Sequence, residues 1–169
     1  MGRGFQRGGI VLLSLFVAVS ALCVGSGARA ETQVLRSIPY AKGAEVRQAV
    51  RDECKLETKV PTYIAEFGSD VVLVDRLGGG RALELAITQI HAPGGGGFSG
   101  PKWMTVTGTL REGGRVVGSF RAKRYTTGGA FAAFKGTCSI IGRCAKVIGR
   151  DIATWLENPG MDSKLGDAK

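Results

Sequence analysis

Three early segments of this chain carry the apolar patterns of β-strands. Residues 33–38 form a short strand-like run, residues 71–74 are continuously apolar, and residues 81–90 alternate, with Leu83 and Ile87 on one side. A period of two places the apolar side chains on one face of a sheet. We therefore expect three strands here, the last of them half-buried.

The clearest strand pair lies at residues 102–111 and 115–125, joined by Glu112-Gly113-Gly114. Consecutive glycines supply the positive φ angles of a tight turn, so we predict a β-hairpin. Small or apolar residues alternate with polar ones in both strands, which predicts one face for helix packing and one exposed face rich in threonine and basic groups. The candidate partner-binding residues on the exposed face are Thr105, Thr107, Arg121, Lys123 and Tyr125.

A helical period of apolar positions governs three other segments. It predicts an amphipathic helix over residues 44–54 and a second, short helix that begins between Thr58 and Pro61 and ends at Gly68. Residues 141–155 have the clearest pattern, because their apolar positions form one stripe with basic residues largely off it. This last helix is expected to cover the sheet.

These elements predict an α+β fold. We expect a single domain over residues 31–157, with a mainly antiparallel sheet of about four strands and two or three helices packed on one face. Asn158-Pro159-Gly160 stops the last helix. Residues 158–169 are polar and contain glycine, so we expect them to form a disordered tail.

The first thirty residues have the pattern of a secretory signal peptide. Arg3 and Arg7 precede an uncharged apolar stretch over residues 10–24, and Ala28-Arg29-Ala30 offers the small side chains that signal peptidase requires. That stretch is shorter than the roughly 20 residues that cross a bilayer, which favours cleavage after Ala30 over a permanent anchor. Cys23 lacks the small preceding residue needed for lipidation. We expect a periplasmic or secreted protein whose mature form does not span the membrane.

Charge narrows the choice of partners. The formal net charge of +9 falls to +6 when Arg3, Arg7 and Arg29 are removed with the signal peptide. A basic exported domain has affinity for anionic envelope components, although the same charge also serves solubility alone. The export signal, and the lack of a dense Lys/Arg run with interleaved aromatics, argue against nucleic acid as a partner.

The mature chain keeps an odd number of cysteines, Cys54, Cys138 and Cys144. In an oxidising compartment this predicts one disulfide and one free thiol. Cys138 and Cys144 are six residues apart, and on one helix they would point in directions about 120° apart, too far for a bridge. Cys144 continues an apolar stripe, so a Cys54–Cys138 disulfide is favoured and Cys54–Cys144 remains the alternative. The close ligand pairs of a zinc site are missing, and no metal or cofactor is expected.

The sequence contains no complete motif for catalysis. The glycine-rich segment over residues 92–102 has the glycine spacing of a phosphate-binding loop, but Pro101 stands where the lysine is required and strands flank the loop. A small hydrolase would have to use Ser99 or His91, the single histidine, and the sequence supplies no orienting carboxylate for them. We therefore predict that the protein is not an enzyme. The loop from Gly94 to Gly100 is expected at the end of the exposed sheet face.

Five segments carry a family resemblance. They are Val50-Arg51-Asp52-Glu53-Cys54, Leu83-Glu84-Leu85, Val106-Thr107-Gly108-Thr109-Leu110, Gly128-Gly129-Ala130-Phe131 and Gly149-Arg150-Asp151-Ile152-Ala153-Thr154-Trp155-Leu156. Through them the chain resembles a family of small uncharacterised exported proteins of proteobacteria. The order of elements is more remotely similar to the helix-and-sheet domains of outer-membrane accessory lipoproteins, which bind other envelope proteins, although this chain lacks their lipidation motif.

Together, these observations predict an exported, non-catalytic binding or accessory protein of the cell envelope. Its expected partner is another envelope protein or an anionic envelope component. The alternatives are a binder of anionic glycan or lipid and, less favoured, a small hydrolase.

Overall fold

The computed structural model describes residues 1–2, 30–95, 99–127 and 135–169. The signal peptide expected over residues 1–30 lies almost wholly outside the described residues, together with Cys23 and the middle of the glycine-rich loop. The folded part starts with a strand at Thr32, two residues beyond the predicted cleavage site.

Seven strands in the described ranges form one mixed sheet. They are β1 (Thr32–Leu35), β2 (Tyr40–Glu45), β3 (Val71–Val74), β4 (Arg81–His91), β5 (Lys102–Glu112), β6 (Arg115–Thr126) and β7 (Ser163–Gly166). Their order is β3-β1-β4-β5-β6-β7. Strand β2 also pairs with β4, on the same side as β1 but farther along the strand: β1 pairs with residues 81–83 of β4, and β2 pairs near residues 87–89. Strands β4, β5 and β6 are antiparallel, whereas β1, β2, β3 and β7 join the sheet in parallel.

The α+β class is confirmed, but the expected sheet of about four mainly antiparallel strands is too small. The hairpin of β5 and β6 forms as predicted, with Gly113 and Gly114 at φ angles of 54° and 83°. The two strands missing from the prediction, β2 and β7, are short and pair in parallel with partners far away in sequence. Such pairings leave little local pattern.

Three helices lie in the described residues: α1 (Gln48–Cys54), α2 (Leu56–Phe67) and α3 (Thr137–Glu157). The first begins later than predicted, because residues 40–45 belong to β2. The second begins at Leu56, two residues before the predicted range of Thr58 to Pro61, so that Pro61 lies inside it. Because Pro61 has no N–H, it cannot make the helical hydrogen bond to the Glu57 carbonyl. The Ile38 N–H donates to that carbonyl instead, at 3.0 Å.

The prediction of a disordered tail over residues 158–169 is wrong. Strand β7 pairs in register with Phe120–Lys123 of β6, and Leu165 packs against the core. The Trp155 indole N–H donates to Ser163 Oγ at 3.1 Å, and Ser119 Oγ lies 3.0 Å from Asp162 Oδ1. Polar composition misled the prediction here, because these hydrogen bonds are made with distant elements.

All three helices pack on the same face of the sheet and share one apolar core with it. Two glycines permit very close contact in this core. A Cβ added at Gly108 of β5 would collide with the Phe120 ring, and one added at Gly149 of α3 would lie 2.5 Å from Tyr63 Cβ of α2. Close packing therefore excludes even one extra methyl group at these positions.

A disulfide joins Cys54, at the end of α1, to Cys138, in the first turn of α3. The two Cα atoms are 4.9 Å apart, and this pairing confirms the favoured alternative. Cys144 is a free, buried thiol, as its place on the apolar stripe predicted. The bridge links two helices of the layer that covers the sheet.

Candidate functional site

The sheet face opposite the helices, here called the open face, carries the candidate contact residues. Register pairs place Ala86, Thr107 and Arg121 in one row across β4, β5 and β6. The next row contains Thr105 and Lys123, and the row beyond it contains Trp103 and Tyr125. Thr107 and Lys123 are half-buried, whereas Arg121 and Tyr125 are exposed, Tyr125 at 59%.

Thr105 is not exposed as expected. Its relative exposure is 0%, although its side chain belongs to the open face. Its register partners are the long side chains Gln89 and Lys123, and a short side chain between two long ones is shielded from solvent. Among the described residues, Thr105 Oγ1 is a buried side-chain oxygen without a hydrogen-bond partner. An unpaired buried hydroxyl costs about 1–3 kcal/mol of stability.

Two aromatic residues outside the predicted set complete a row with Tyr125. His91 of β4 pairs with Trp103 of β5, which pairs with Tyr125 of β6. The His91 and Trp103 rings are stacked, with centroids 3.8 Å apart and planes 12° apart. Lys123 Nζ lies 5.7 Å from the centroid of the Trp103 ring, within cation–π range. The open face therefore ends in an aromatic row flanked by a cation.

A β-bulge brings His91 into this row. The register of β4 against β5 runs from Ile87–Val106 directly to Gln89–Thr105, so that Thr88 is the extra residue. A one-residue shift exchanges the two faces of the remaining strand. Ile90 consequently enters the core and His91 lies on the open face. The sequence contains a signal for this bulge, since the apolar spacing changes from 85 and 87 to 90.

A shallow groove lies beside the aromatic row. Pro101, Trp103, Tyr125 and Thr127 form its largely apolar lining, and Lys123, Asp167 and Lys169 supply its charged groups. Asp167 Oδ2 accepts a hydrogen bond from the Tyr125 backbone N–H at 3.1 Å, and Asp167 Oδ1 lies 3.8 Å from a guanidinium nitrogen of Arg124. Arg124 also makes a bidentate pair with Asp151 at 2.7 and 2.8 Å, so its charge is shared between two carboxylates. The C-terminal segment helps to build the groove.

Cations predominate over the rest of the open face. Lys164 of β7 is in register with Arg121 of β6, and both are exposed. Within the described residues, the ion pairs do not involve Arg121, Lys123, Lys164 or Lys169. The Glu84 carboxylate on the same face is paired with Arg111 at 3.1 Å. Cations thus border the aromatic row on the β6 side, and the carboxylates of Asp167 and Glu45 also lie near it.

A second polar site lies on the helix-covered side, where β5 begins. Lys102 is 0% exposed, and its ammonium group donates to Ser99 Oγ at 2.9 Å. The Ser99 hydroxyl donates to the Pro93 carbonyl at 3.1 Å. Burial lowers the pKa of Lys102, because an uncharged amine is favoured away from water. Extending the alternation of β5 back by one step from Met104 could have revealed this buried lysine.

Two other reactive groups, the His91 imidazole and the Cys144 thiol, are occupied by a ring contact and by burial. His91, considered as a base for Ser99, is stacked on Trp103 instead. Burial raises the pKa of the Cys144 thiol to about 11, which suppresses the reactive thiolate. In the ranges described, no cluster of three histidine, cysteine or acidic side chains could hold a metal ion. No helix of the described residues is long and apolar enough to cross a bilayer.

Comparison with known proteins supports the fold. The chain matches no model of a known protein family and no curated protein sequence. Among solved structures, it is similar to a crystal structure of an uncharacterised protein, with 9% identity over 76% of this chain and 99% of that one and a TM-score of 0.50. A variant of PelC from Paraburkholderia phytofirmans, crystallised as a dodecamer, shares 16% identity over 70% of this chain and 86% of that one, with a TM-score of 0.35. The first likeness shows a common fold.

Proposed function

We propose that this chain is an exported, non-catalytic binding or accessory protein of the cell envelope, and that its open face is the binding surface. The observation that carries the proposal is the row of His91, Trp103 and Tyr125 beside Lys123. Exposed aromatic residues next to cations are typical of contact surfaces, because they combine apolar area with directional polar groups.

Two further features support export. The N-terminal thirty residues have the composition of a cleavable signal peptide, and the first strand begins shortly after the expected cleavage site. The disulfide between Cys54 and Cys138 is of the kind that persists in oxidising compartments. Both features favour the periplasm or the extracellular space.

A small hydrolase at Ser99 is the second candidate, and the contact with Lys102 is the observation that favours it. A neutral lysine can act as a general base for serine. However, the Ser99 proton is directed to the Pro93 carbonyl, and the Lys102 ammonium is the donor in their hydrogen bond. This arrangement fits an amine that anchors the loop before β5 better than it fits a base.

A reactive fluorophosphonate probe separates the two candidates. We expect the purified protein to remain unlabelled at Ser99. Labelling that disappears in Ser99→Ala, together with ester hydrolysis lost in the same variant, would establish the hydrolase and contradict a non-catalytic role.

Retention of envelope components tests the binding surface. The full chain is produced as wild type, as an open-face variant with Arg121→Gln and Lys123→Gln, and as a control with Lys59→Gln and Arg150→Gln on the helices. Each purified protein is immobilised and incubated with an envelope fraction of its native cells. We expect at least one component that wild type and control retain and that the open-face variant loses. Equal retention by all three proteins would contradict the proposal.

A further inference from the structure

We infer that the groove beside the aromatic row binds an acidic polysaccharide, one built of sugar acids, with Trp103 and Tyr125 contacting sugar rings and the neighbouring cations pairing with carboxylates. This inference rests on the proposed function, because it names a ligand for the open face.

The first step is the orientation of Trp103. His91 on β4 covers one face of the indole ring at 3.8 Å. Strand β6 lies on the other side of β5, so the second face of the indole is turned towards Tyr125 and Lys123. Lys123 Nζ lies 5.7 Å from the centroid of the Trp103 ring, and the Trp103 side chain lines the groove. The stack with His91 also holds the indole in one orientation, which lowers the entropy that a ligand must remove.

The second step is the chemistry of the groove lining. The negative face of an aromatic ring attracts the slightly positive C–H groups on the flat side of a sugar ring. Tyr125 offers an exposed ring with a hydroxyl group, and the half-buried Trp103 lines the groove beside it. An acyl chain, by contrast, requires an enclosed apolar cleft, and this groove is shallow and bordered by charged groups. The lining therefore favours a sugar over a lipid tail.

The third step is charge complementarity. Lys123 follows Tyr125 on the same face of β6, then comes Arg121, with Lys164 in register beside it. From Tyr125 to Arg121 the strand rises about 13 Å, enough to contact consecutive sugars of a chain. Lys169 supplies a further cation and Asp167 an anion at the end of the groove. Repeated cations along a strand fit a polymer with repeated carboxylates better than they fit a neutral glycan.

Binding to polygalacturonate tests the inference, with dextran as the neutral polymer and phosphatidylglycerol vesicles as the lipid surface. The full-length purified protein is compared with Tyr125→Ala, Tyr125→Phe, Lys123→Gln and the helix control Arg150→Gln. We expect wild type to bind polygalacturonate and neither of the other probes. Affinity should fall about fivefold in Tyr125→Ala and a few-fold in Lys123→Gln. Tyr125→Phe and Arg150→Gln should bind within twofold of wild type.

Several results would overturn the inference. Binding to vesicles but not to polygalacturonate would identify a lipid surface. Equal losses in Lys123→Gln and Arg150→Gln, with none in Tyr125→Ala, would indicate diffuse attraction of a basic protein. Binding to no probe would also contradict an acidic polysaccharide. In that last case the envelope-retention experiment tests the proposed function separately. A component that only the open-face variant fails to retain would support the open face as a binding surface, with a ligand other than an acidic polysaccharide.

Discussion

The two faces of the sheet around strand β5 differ in how tightly their side chains are packed. On the helix-covered face, Gly108 has no room for a methyl group beside Phe120, and Lys102 is fully buried with its amine on Ser99. On the open face, Tyr125 pairs with Trp103 and remains 59% exposed. Packing explains the residues of the first face. The second face holds aromatic and basic groups that remain partly or largely exposed, and this difference is the ground for assigning binding to it.

Loss of the disulfide should have the largest effect on the covered side. Replacing Cys54 and Cys138 together with alanine frees a link across 84 residues between α1 and α3. We expect the free energy of unfolding to fall by about 2–5 kcal/mol, measured by denaturant titration. A loss below 1 kcal/mol would mean that this bridge does not hold the helix layer.

Two glycines of α3 provide a matched test of close packing. Gly149→Ala places its new methyl group against the backbone of α2, whereas the same change at Gly142 meets nothing within 4 Å. We expect Gly149→Ala to destabilise the protein by about 1–3 kcal/mol. Gly142→Ala should instead stabilise it by up to about 1 kcal/mol through helix propensity. Similar changes in melting temperature for both variants would contradict the tight α2–α3 contact.

The buried Cys144 predicts a loss of stability in alkali. Its pKa is raised by burial from an ordinary 9.0 to about 11, so the folded state favours the neutral thiol. That contribution is fully present below pH 9 and is lost as pH rises towards about 11. Between these values, unfolding free energy should fall more in wild type than in Cys144→Ala, by up to about 2 kcal/mol. Parallel pH profiles would indicate that the thiol is accessible to water.

Thr105 and Thr107 compare a buried and a half-buried position on the same open face. Thr105→Val removes a buried hydroxyl that has no partner among the described residues, so stability should rise by about 1 kcal/mol. Thr107→Val, one step along the same face and half-buried, should change stability very little. A destabilised Thr105→Val would show that the hydroxyl is paired in solution.

The smallest effect on stability is expected at Tyr125, the exposed member of the aromatic row. Tyr125→Ala should alter the unfolding free energy by no more than about 0.5 kcal/mol, because the side chain is largely exposed. If the same variant loses ligand affinity, binding and stability separate at this residue. A loss of stability above 2 kcal/mol would instead make Tyr125 a structural residue.

Sequence patterns predicted the elements that form between residues close together along the chain. The hairpin of β5 and β6 follows from alternation and two glycines at the turn, and α3 follows from one apolar stripe. Residues 40–45 and 163–166 have no such pattern, because their strands form by pairing with residues distant along the chain. Thr107, Arg121, Lys123 and Tyr125 could likewise be placed on one face by alternation alone.

The rest of the candidate site depends on tertiary detail. The bulge at Thr88 decides that His91, rather than Ile90, joins the open face. The burial of Thr105 depends on the length of its neighbours on adjacent strands, and the groove depends on a C-terminal strand with a polar sequence. A period of two assigns a residue to a face, but it does not say what stands beside that residue across the sheet.

Site-specific photo-crosslinking in the native cells tests the central claim most directly. A photo-reactive amino acid replaces Arg121 on the open face in one strain and Arg150 on the helix layer in another, within the full chain. The account predicts a discrete crosslinked species from position 121 and none from position 150. Crosslinking from position 150 alone would contradict it and move the binding surface to the helices.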